Sequence, residues 1–369
     1  MDLRAGVATG VEALVRWQHP EQGLLAPSDF LHLAVNEDRL AVRLGEWVLR
    51  QALVDFAGLY RDLPDARINL SVNLDAVHLL SGDFAGQLGA ALSQHRDLPD
   101  GVLRLEVLES SLIPDMDQAV ITMEKCRGLG VRFALDDFGT GYSSLHYLKI
   151  LPLDEIKIDA GFVRDMLTDP DDLAIVRGVI DLGEAFGIDV VAEGVETGDH
   201  AALLLRLGCA TVQGYGIARP MPIAELRRWM CQWRPDPKWM QLAPVNSMGA
   251  ALLQAEVRHR AWVAGVQAYL NGWATRPPPL GEADCRFTRW LDALPGDRLS
   301  HATLTDLKRL HHKVHTLAQD LCAAFSDAAG PPDASALAEL EEISGRLQSL
   351  MQTMLTHAGM LDGGTVRGR

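Results

Sequence analysis

Asp136 and Asp137 are adjacent, and they belong to a series of polar residues that recurs at the ends of short apolar runs. Asn73 follows ARINLSV, Glu106 and Glu109 lie in LRLEVLES, Asp136 and Asp137 follow VRFAL, Lys157 lies in EIKID, Glu193 follows DVVA and Gln213 lies in TVQGYG. One acid at the end of a strand ordinarily caps a helix or faces solvent. Repetition carries the signal: successive strands that deliver carboxylates, carboxamides and a lysine to one end build the active-site face of a (β/α) barrel. Such a cluster suits the hydrolysis of an anionic substrate. Carboxylates holding divalent metals neutralise it and generate hydroxide near neutral pH. Hard Mg²⁺ or Mn²⁺ takes the oxygen ligands that Glu, Asp and Asn supply.

A second chemistry lies towards the end of the chain, where half of the twelve histidines fall beyond residue 258. His311 and His315 in LKRLHHKVH are four apart, so both imidazoles project from one helix face as a two-ligand arm for zinc. His259 and Cys285 lie on two other expected helices, and a His3Cys set satisfies tetrahedral Zn²⁺. His312, beside His311, has the poorer helical angle towards His315.

The elements that must position these residues follow from periodicity. Between residues 8 and 217, short β-branched runs alternate with helix-period segments, the pattern of a parallel α/β fold. Seven strands are expected at Val11–Trp17, Arg67–Asn73, Leu103–Leu108, Val131–Asp136, Glu155–Ile158, Asp189–Ala192 and Thr211–Tyr215. Helices are expected at Phe30–Leu59, Asp117–Gly128, Asp172–Phe186 and Asp199–Leu207, with no strand-to-strand hairpin among them. Residues 233–249 hold prolines that break the alternation and read as a linker. The next segment, 250–357, reads as a four-helix bundle, with amphipathic helices near 252–270, 285–294, 303–325 and 334–355 separated by PPP and GPP turns. Residues 358–369 read as a flexible tail.

With 369 residues, the chain is long enough for two domains. The 34 basic and 49 acidic residues give a net charge of −15, which argues against a non-specific coat for nucleic-acid polymers. Phosphate chemistry then requires metal ions or a few placed cations. Five scattered cysteines do not suggest a disulfide framework. Neither a membrane-length apolar run nor a secretory signal in MDLRAGVATG is evident, so a cytoplasmic location without membrane attachment is expected.

The motifs EALVRW at 12–17, SVNL at 71–74, LEVLES at 105–110, DDFGTGYSSL at 136–145, IKID at 156–159, VAEGVET at 191–197 and QGYGIARP at 213–220 resemble the EAL-domain cyclic di-GMP phosphodiesterases. The resemblance implies a TIM-like barrel over residues 1–232 and hydrolysis of cyclic di-GMP to the linear dinucleotide pGpG with two metal ions. It implies Glu12, Asn73, Glu106 and Asp136 as ligands of one metal, with Asp136 and Asp137 shared with a second. Lys157 would hold the attacking water or a phosphate oxygen, and Glu193 would be the base or water-orienting residue. Arg16, Asp159 and Gln213 would contact substrate. Glu109 would anchor the loop of Gly139, Thr140 and Gly141, whose glycines let Asp137 move. The family barrel has eight strands, so with seven in the sequence the chain is expected to begin just after strand one.

The ordered set His259-x-x-Trp262, Cys285-x4-Trp290-Leu291 and Leu310-His311-x3-His315 resembles the chemoreceptor zinc-binding (CZB) domain over residues 250–357. That resemblance implies one Zn²⁺ on His259, Cys285, His311 and His315, control of the barrel by zinc or by oxidation of Cys285, and homodimerisation. A different class of function is a non-catalytic receptor, in which a barrel short of one strand binds cyclic di-GMP or a partner and the tail senses zinc.

Overall fold

A computed structural model of the chain describes residues 1–35, 37–63, 67–109, 115–141, 144–282, 285–293, 301–327 and 334–361. It divides into two compact units, Met1–Arg164 with Ile175–Leu242, and Asp165–Ala174 with Ala243–Arg369. The first unit begins with β1 (Gly10–Ala13), β2 (Trp17–His19), β3 (Gly23–Leu25), α1 (Pro27–Val35), α2 (Asp38–Asp62) and β4 (Asn69–Asn73). It continues through α3 (Ala76–Leu79), α4 (Phe84–Leu92), β5 (Leu103–Leu108), α5 (Met116–Arg127), β6 (Arg132–Phe138), α6 (Ser144–Ile150) and β7 (Glu155–Ile158). After α7 (Ala160–Asp165) and α8 (Pro170–Phe186) come β8 (Asp189–Ala192), α9 (Gly198–Leu207), β9 (Thr211–Val212) and α10 (Ile223–Gln232). The second unit carries α11 (Ser247–Leu270), α12 (Arg286–Ala293), α13 (His301–Asp327) and α14 (Ala334–Leu361).

Seven strands form one curled parallel sheet in the order β1-β4-β5-β6-β7-β8-β9. At the β9 edge, the Met1 amino group donates to the Val212 carbonyl at 2.9 Å and Leu3 N donates to Ala210 O at 2.9 Å. Alternate residues of each strand do different work. In β5, Leu103, Leu105 and Val107 are at most 1% exposed and face the helical layer, while Arg104 and Glu106 face the sheet interior. In β7, Ile156 and Ile158 are fully buried on the outer face, each contributing about 1.5–3 kcal/mol by burial. Glu155 and Lys157 point inward, and Arg104 meets Glu155 at 2.6 Å one layer beneath Lys157.

Local chemistry fixes the ends of the elements. Thr197 caps α9 by accepting from His200 N at 3.2 Å, and Gly208 closes it in a left-handed conformation at φ +101°. Asp115 caps α5 through Gln118 N, and Asn246 caps α11 through Gly249 N.

The expected strands recur, β5, β7 and β8 with the same limits, β6 running on to Phe138, and β1, β4 and β9 shorter, and two expectations are corrected. A hairpin does interrupt the alternation: β2 and β3 pair antiparallel, with Trp17 opposite Leu25. Its turn is closed by His19 Nδ1, which accepts from Glu21 N and Gln22 N at 3.1 Å each, and by Gly23 at φ +76°. A side-chain-built turn of this kind lacks the Asn-Gly signature that marks most short hairpins. The single helix expected over 30–59 is two, α1 and α2.

In the second unit α11, α13 and α14 are long and α12 is short. Leu252, Val257, Val266, Leu307, Val314, Leu340, Leu347 and Met351 form its core. α14 runs to Leu361, past residue 357 where the bundle was expected to end. The remainder of the expected tail, 362–369, lies outside the described residues, as do Leu294 and residues 142–143 of the glycine loop.

Candidate active site

The inward face of the parallel sheet carries the expected polar residues to one end. Glu12 ends on β1, Asn73 on β4, Glu106 on β5, Asp136 and Asp137 on β6, and Lys157 on β7, while Glu193 and Gln213 follow β8 and β9 directly. The register explains the convergence, because Asn73 lies opposite Glu106 and Leu108 opposite Asp136 in a staggered parallel array.

Lys157, with a side chain 2% exposed, is the hub. Its Nζ donates to Glu106 Oε2 at 2.8 Å and lies 2.5 Å from Glu193 Oε1, 3.4 Å from Asp136 Oδ1 and 3.6 Å from Glu12 Oε2. Glu12 is also held by two carboxamides, receiving Asn73 Nδ2 on Oε1 at 2.6 Å and Gln213 Nε2 on Oε2 at 2.5 Å. Burial acts to lower the Lys157 pKa, and the surrounding carboxylates outweigh it, so the ammonium is held well above its usual range. Burial pushes Glu106 up to about 8, with Glu12 and Asp136 adding to the shift against Lys157. Glu193 is pushed up to about 7, again by burial first, with Lys157 opposing and Asp136 adding.

Asp136 and Asp137 could not share a face in a regular strand, where neighbours point to opposite sides. The β6–β7 register shifts between Leu135 and Phe138, and Asp137 adopts φ +52°. Carboxylate oxygens of Asp136, Asp137 and Glu193 consequently lie within 4.8 Å of one another. Burial raises Asp137 to about 6, helped by Asp136 and by Asp159, which shares a hydrogen bond with it. Asp159 Oδ1 also accepts from Gly161 N at 2.9 Å.

The following loop is tied to Glu109, which is 1% exposed. Gly139 N donates to Glu109 Oε2 at 3.2 Å, and Gly139 sits at φ +102°. A Cβ on Gly141 would overlap the Glu109 carboxyl group. Thr140 Oγ1 donates to the Asp137 carbonyl at 2.8 Å. Arg16 Nη1 donates to Val15 O at 2.8 Å.

The donor set fits divalent metal. Glu12, Glu106, Asp136, Asp137 and Glu193 outnumber the single ammonium, all donors are hard oxygens, and Asp136 Oδ1 is buried without a hydrogen-bond donor. The close carboxylate trio includes Glu193 beside Asp136 and Asp137, whereas Glu12, Asn73 and Glu106 are joined through amide and ammonium contacts.

In the helical unit, Cys285, His311 and His315 place ligand atoms within 4.8 Å of one another. Cys285 Sγ lies 3.4 Å from His311 Nε2. His315 Nδ1 faces the Leu280 carbonyl at 3.0 Å, which leaves Nε2 its lone pair, and His311 Nδ1 lies 3.6 Å from Glu282 Oε1. Burial would raise the Cys285 thiol, but hydrogen bonds from His311, His315 and the Thr288 backbone bring it down to about 5, a thiolate at neutral pH. These donors fit zinc. His259 is not in the close trio: its Nε2 is 3.0 Å from Ser344 Oγ, and burial with His311 and His315 nearby holds it down to about 3. His312 points to Glu282 Oε2 at 2.7 Å. Glu282 and Ser344 have no signature in the sequence, since their relation to the histidines arises only from packing.

A family model for the EAL domain matches residues 1–220, and one for the chemoreceptor zinc-binding domain matches residues 259–322. The bifunctional diguanylate cyclase/cyclic di-GMP phosphodiesterase MucR of Pseudomonas aeruginosa is 43% identical over 221 residues, 60% of this chain and 32% of MucR. The cyclic di-GMP phosphodiesterase NbdA of the same organism is 40% identical over 234 residues, 63% of this chain and 30% of NbdA. The chain thus spans about a third of the length of these curated relatives. Among solved structures, the PaMucR phosphodiesterase in complex with c-di-GMP aligns with a TM-score of 0.56 at 42% identity, covering 60% of this chain and 90% of that one. The EAL domain of Mycobacterium smegmatis DcpA aligns with a TM-score of 0.55 at 36% identity, covering 64% and 96%. No helix among the described residues is long and apolar enough to cross a membrane.

Proposed function

Because the chain belongs to the EAL-domain family, we propose that it hydrolyses cyclic di-GMP to linear pGpG, and that its helical unit binds zinc and adjusts the rate. The observation that carries this reading is the convergence of Glu12, Glu106, Asp136 and Glu193 on one buried ammonium at one end of the parallel sheet, with Asp137 close to Asp136 and Glu193. The names of MucR and NbdA support the substrate.

Glu12, Asn73, Glu106, Asp136 and Asp137 would hold two divalent ions, Mg²⁺ or Mn²⁺. When bound, such ions neutralise phosphodiester charge and lower the pKa of water. The remaining roles belong to the protein. Lys157, a compact charge on a buried stem, orients the attacking water or a phosphate oxygen. Glu193, raised to about 7, suits the part of a base that operates near neutral pH. Gln213 fixes the rotamer of Glu12 through their 2.5 Å hydrogen bond. Asp159 holds Asp137 from the other side, Glu109 steadies the Gly139–Gly141 loop, and Arg16 is left to meet a phosphate. In the helical unit, Cys285, His311 and His315 with His259 form the zinc set. The metal, or oxidation of the Cys285 thiolate, changes the bundle and thereby the rate.

The test is nucleotide chromatography of cyclic di-GMP incubated with the protein and Mg²⁺ or Mn²⁺, with and without a zinc chelator. Linear pGpG that disappears in Glu12→Ala, at a rate altered by the chelator, is the expected result. Binding of cyclic di-GMP without product would refute hydrolysis and select a receptor.

A further inference from the structure

His259 and Ser344 are 5% and 3% exposed, so neither reaches water and each must find its polar partner inside the bundle. They find each other, with His259 Nε2 on α11 lying 3.0 Å from Ser344 Oγ on α14, 85 residues away in sequence. Gln348 Nε2, one turn further along α14, donates to the same serine oxygen at 3.3 Å. The Gln348 amide therefore occupies one lone pair of Ser344, and the hydroxyl hydrogen is available to His259 Nε2. Trp262 stacks on the His259 ring at 6.4 Å and in turn covers His315 at 4.4 Å between ring centres. Through Trp262, and close enough to feel the charges of His311 and His315, His259 neighbours the Cys285–His311–His315 trio, which supplies three donors where zinc takes four.

We propose that Ser344 is a built-in competitor for His259, whose Nε2 exchanges between the Ser344 hydroxyl and a zinc ion held by Cys285, His311 and His315. This rests on the zinc reading of the helical unit. One imidazole nitrogen offers one lone pair, which takes a hydroxyl hydrogen or a metal but not both. On exchange Ser344 keeps the Gln348 donor, and its hydroxyl hydrogen gives up the imidazole as acceptor. The exchange also changes which helices are tied together. With the serine as partner, His259 joins α11 to α14; with the metal, it joins α11 to α13 and to the Cys285 segment that opens α12. Zinc occupancy is then read out as release of α14. Ser344 lies outside the 259–322 segment that matches the zinc-binding family model, so the device belongs to this chain's last helix.

The experiment measures zinc affinity of the full chain by competition with a chromophoric chelator. Ser344→Ala removes the competitor and is expected to bind Zn²⁺ about two- to tenfold more tightly, the fold-change equivalent of one net hydrogen bond. Ser344→Thr keeps the hydroxyl and the wild-type affinity. In a His259→Ala background, Ser344→Ala should have no further effect. Affinity that is unchanged or weakened in Ser344→Ala overturns the exchange, whereas a wild-type chain that takes up no zinc overturns the zinc reading itself. Nitrogen NMR of the wild-type imidazoles gives an answer that needs no variant to fold. The His259 Nε2 resonance should move on adding Zn²⁺, and a resonance that stays in place overturns the exchange.

Discussion

Lys157→Met keeps the buried stem and removes the charge that faces Glu12, Glu106, Asp136 and Glu193. Removing one partner of a buried ion pair typically costs about 3–5 kcal/mol. With several carboxylates within 3.6 Å of the lost ammonium, the full cost should lie at the upper end of that range. Protonation offsets part of it. Glu106 and Glu193 are raised to about 8 and about 7 in the folded barrel, above the ordinary 4.5. A raised folded pKa stabilises fully below the unfolded value, and that stability is lost as pH rises through the folded one. In a chelator, the wild-type barrel should therefore lose stability between about pH 4.5 and 8, and the variant more steeply because nothing opposes the carboxylates. A deficit of about 3–5 kcal/mol corresponds to a fall in Tm of about 6–20 °C for a unit of this size. Circular dichroism melts in EDTA should give a small difference near pH 5 and the full one near pH 8.5, and millimolar Mg²⁺ should recover much of it. The same Tm for variant and wild type near pH 8.5 in EDTA would refute the idea that this ammonium neutralises the cluster.

Two other substitutions probe the supports of each site. Gly141→Ala drives a methyl group into Glu109 and displaces the acceptor of Gly139 N. The loop that carries Asp137 should loosen, with turnover falling about 10²-fold, as for a misplacement near 1 Å, and little loss in Tm; unchanged kcat would show that Glu109 does not position this loop. Glu282→Gln removes the charge beside His311 Nδ1 and His312 Nδ1, so zinc affinity measured by chelator competition should fall about tenfold. Wild-type affinity would assign Glu282 to the surface pair with His312 alone.

The strands were legible because each one is doubly constrained, apolar towards the helices and polar at its end, as β5 and β7 illustrate. The acids and amides that converge at the site were legible for the same reason. Their partnerships were not. Lys157 reads from sequence as a group for water or phosphate, yet its nearest neighbours are the carboxylates of four different strand ends, which only the curl of the sheet brings together. Trp17 looked like the end of one long strand, but a turn built by the His19 ring starts a hairpin there. The HxxxH spacing exposed His311 and His315 because both lie on one helix. Glu282 and Ser344 stayed hidden, since their helices meet the histidines through packing with no fixed sequence interval.

The irregularity in β6 sets a limit on what an inventory of acids can report. A relative of this chain could keep both aspartates and every other carboxylate, lose the one-residue slip between Leu135 and Phe138, and so turn the second aspartate towards the helices. Its motif would read as intact while its centre lacked an oxygen donor. In the present chain the offset and the positive φ of Asp137 make the backbone itself a component of the site. Substitutions that straighten the strand while leaving both aspartates in place should silence it as completely as removal of a carboxylate.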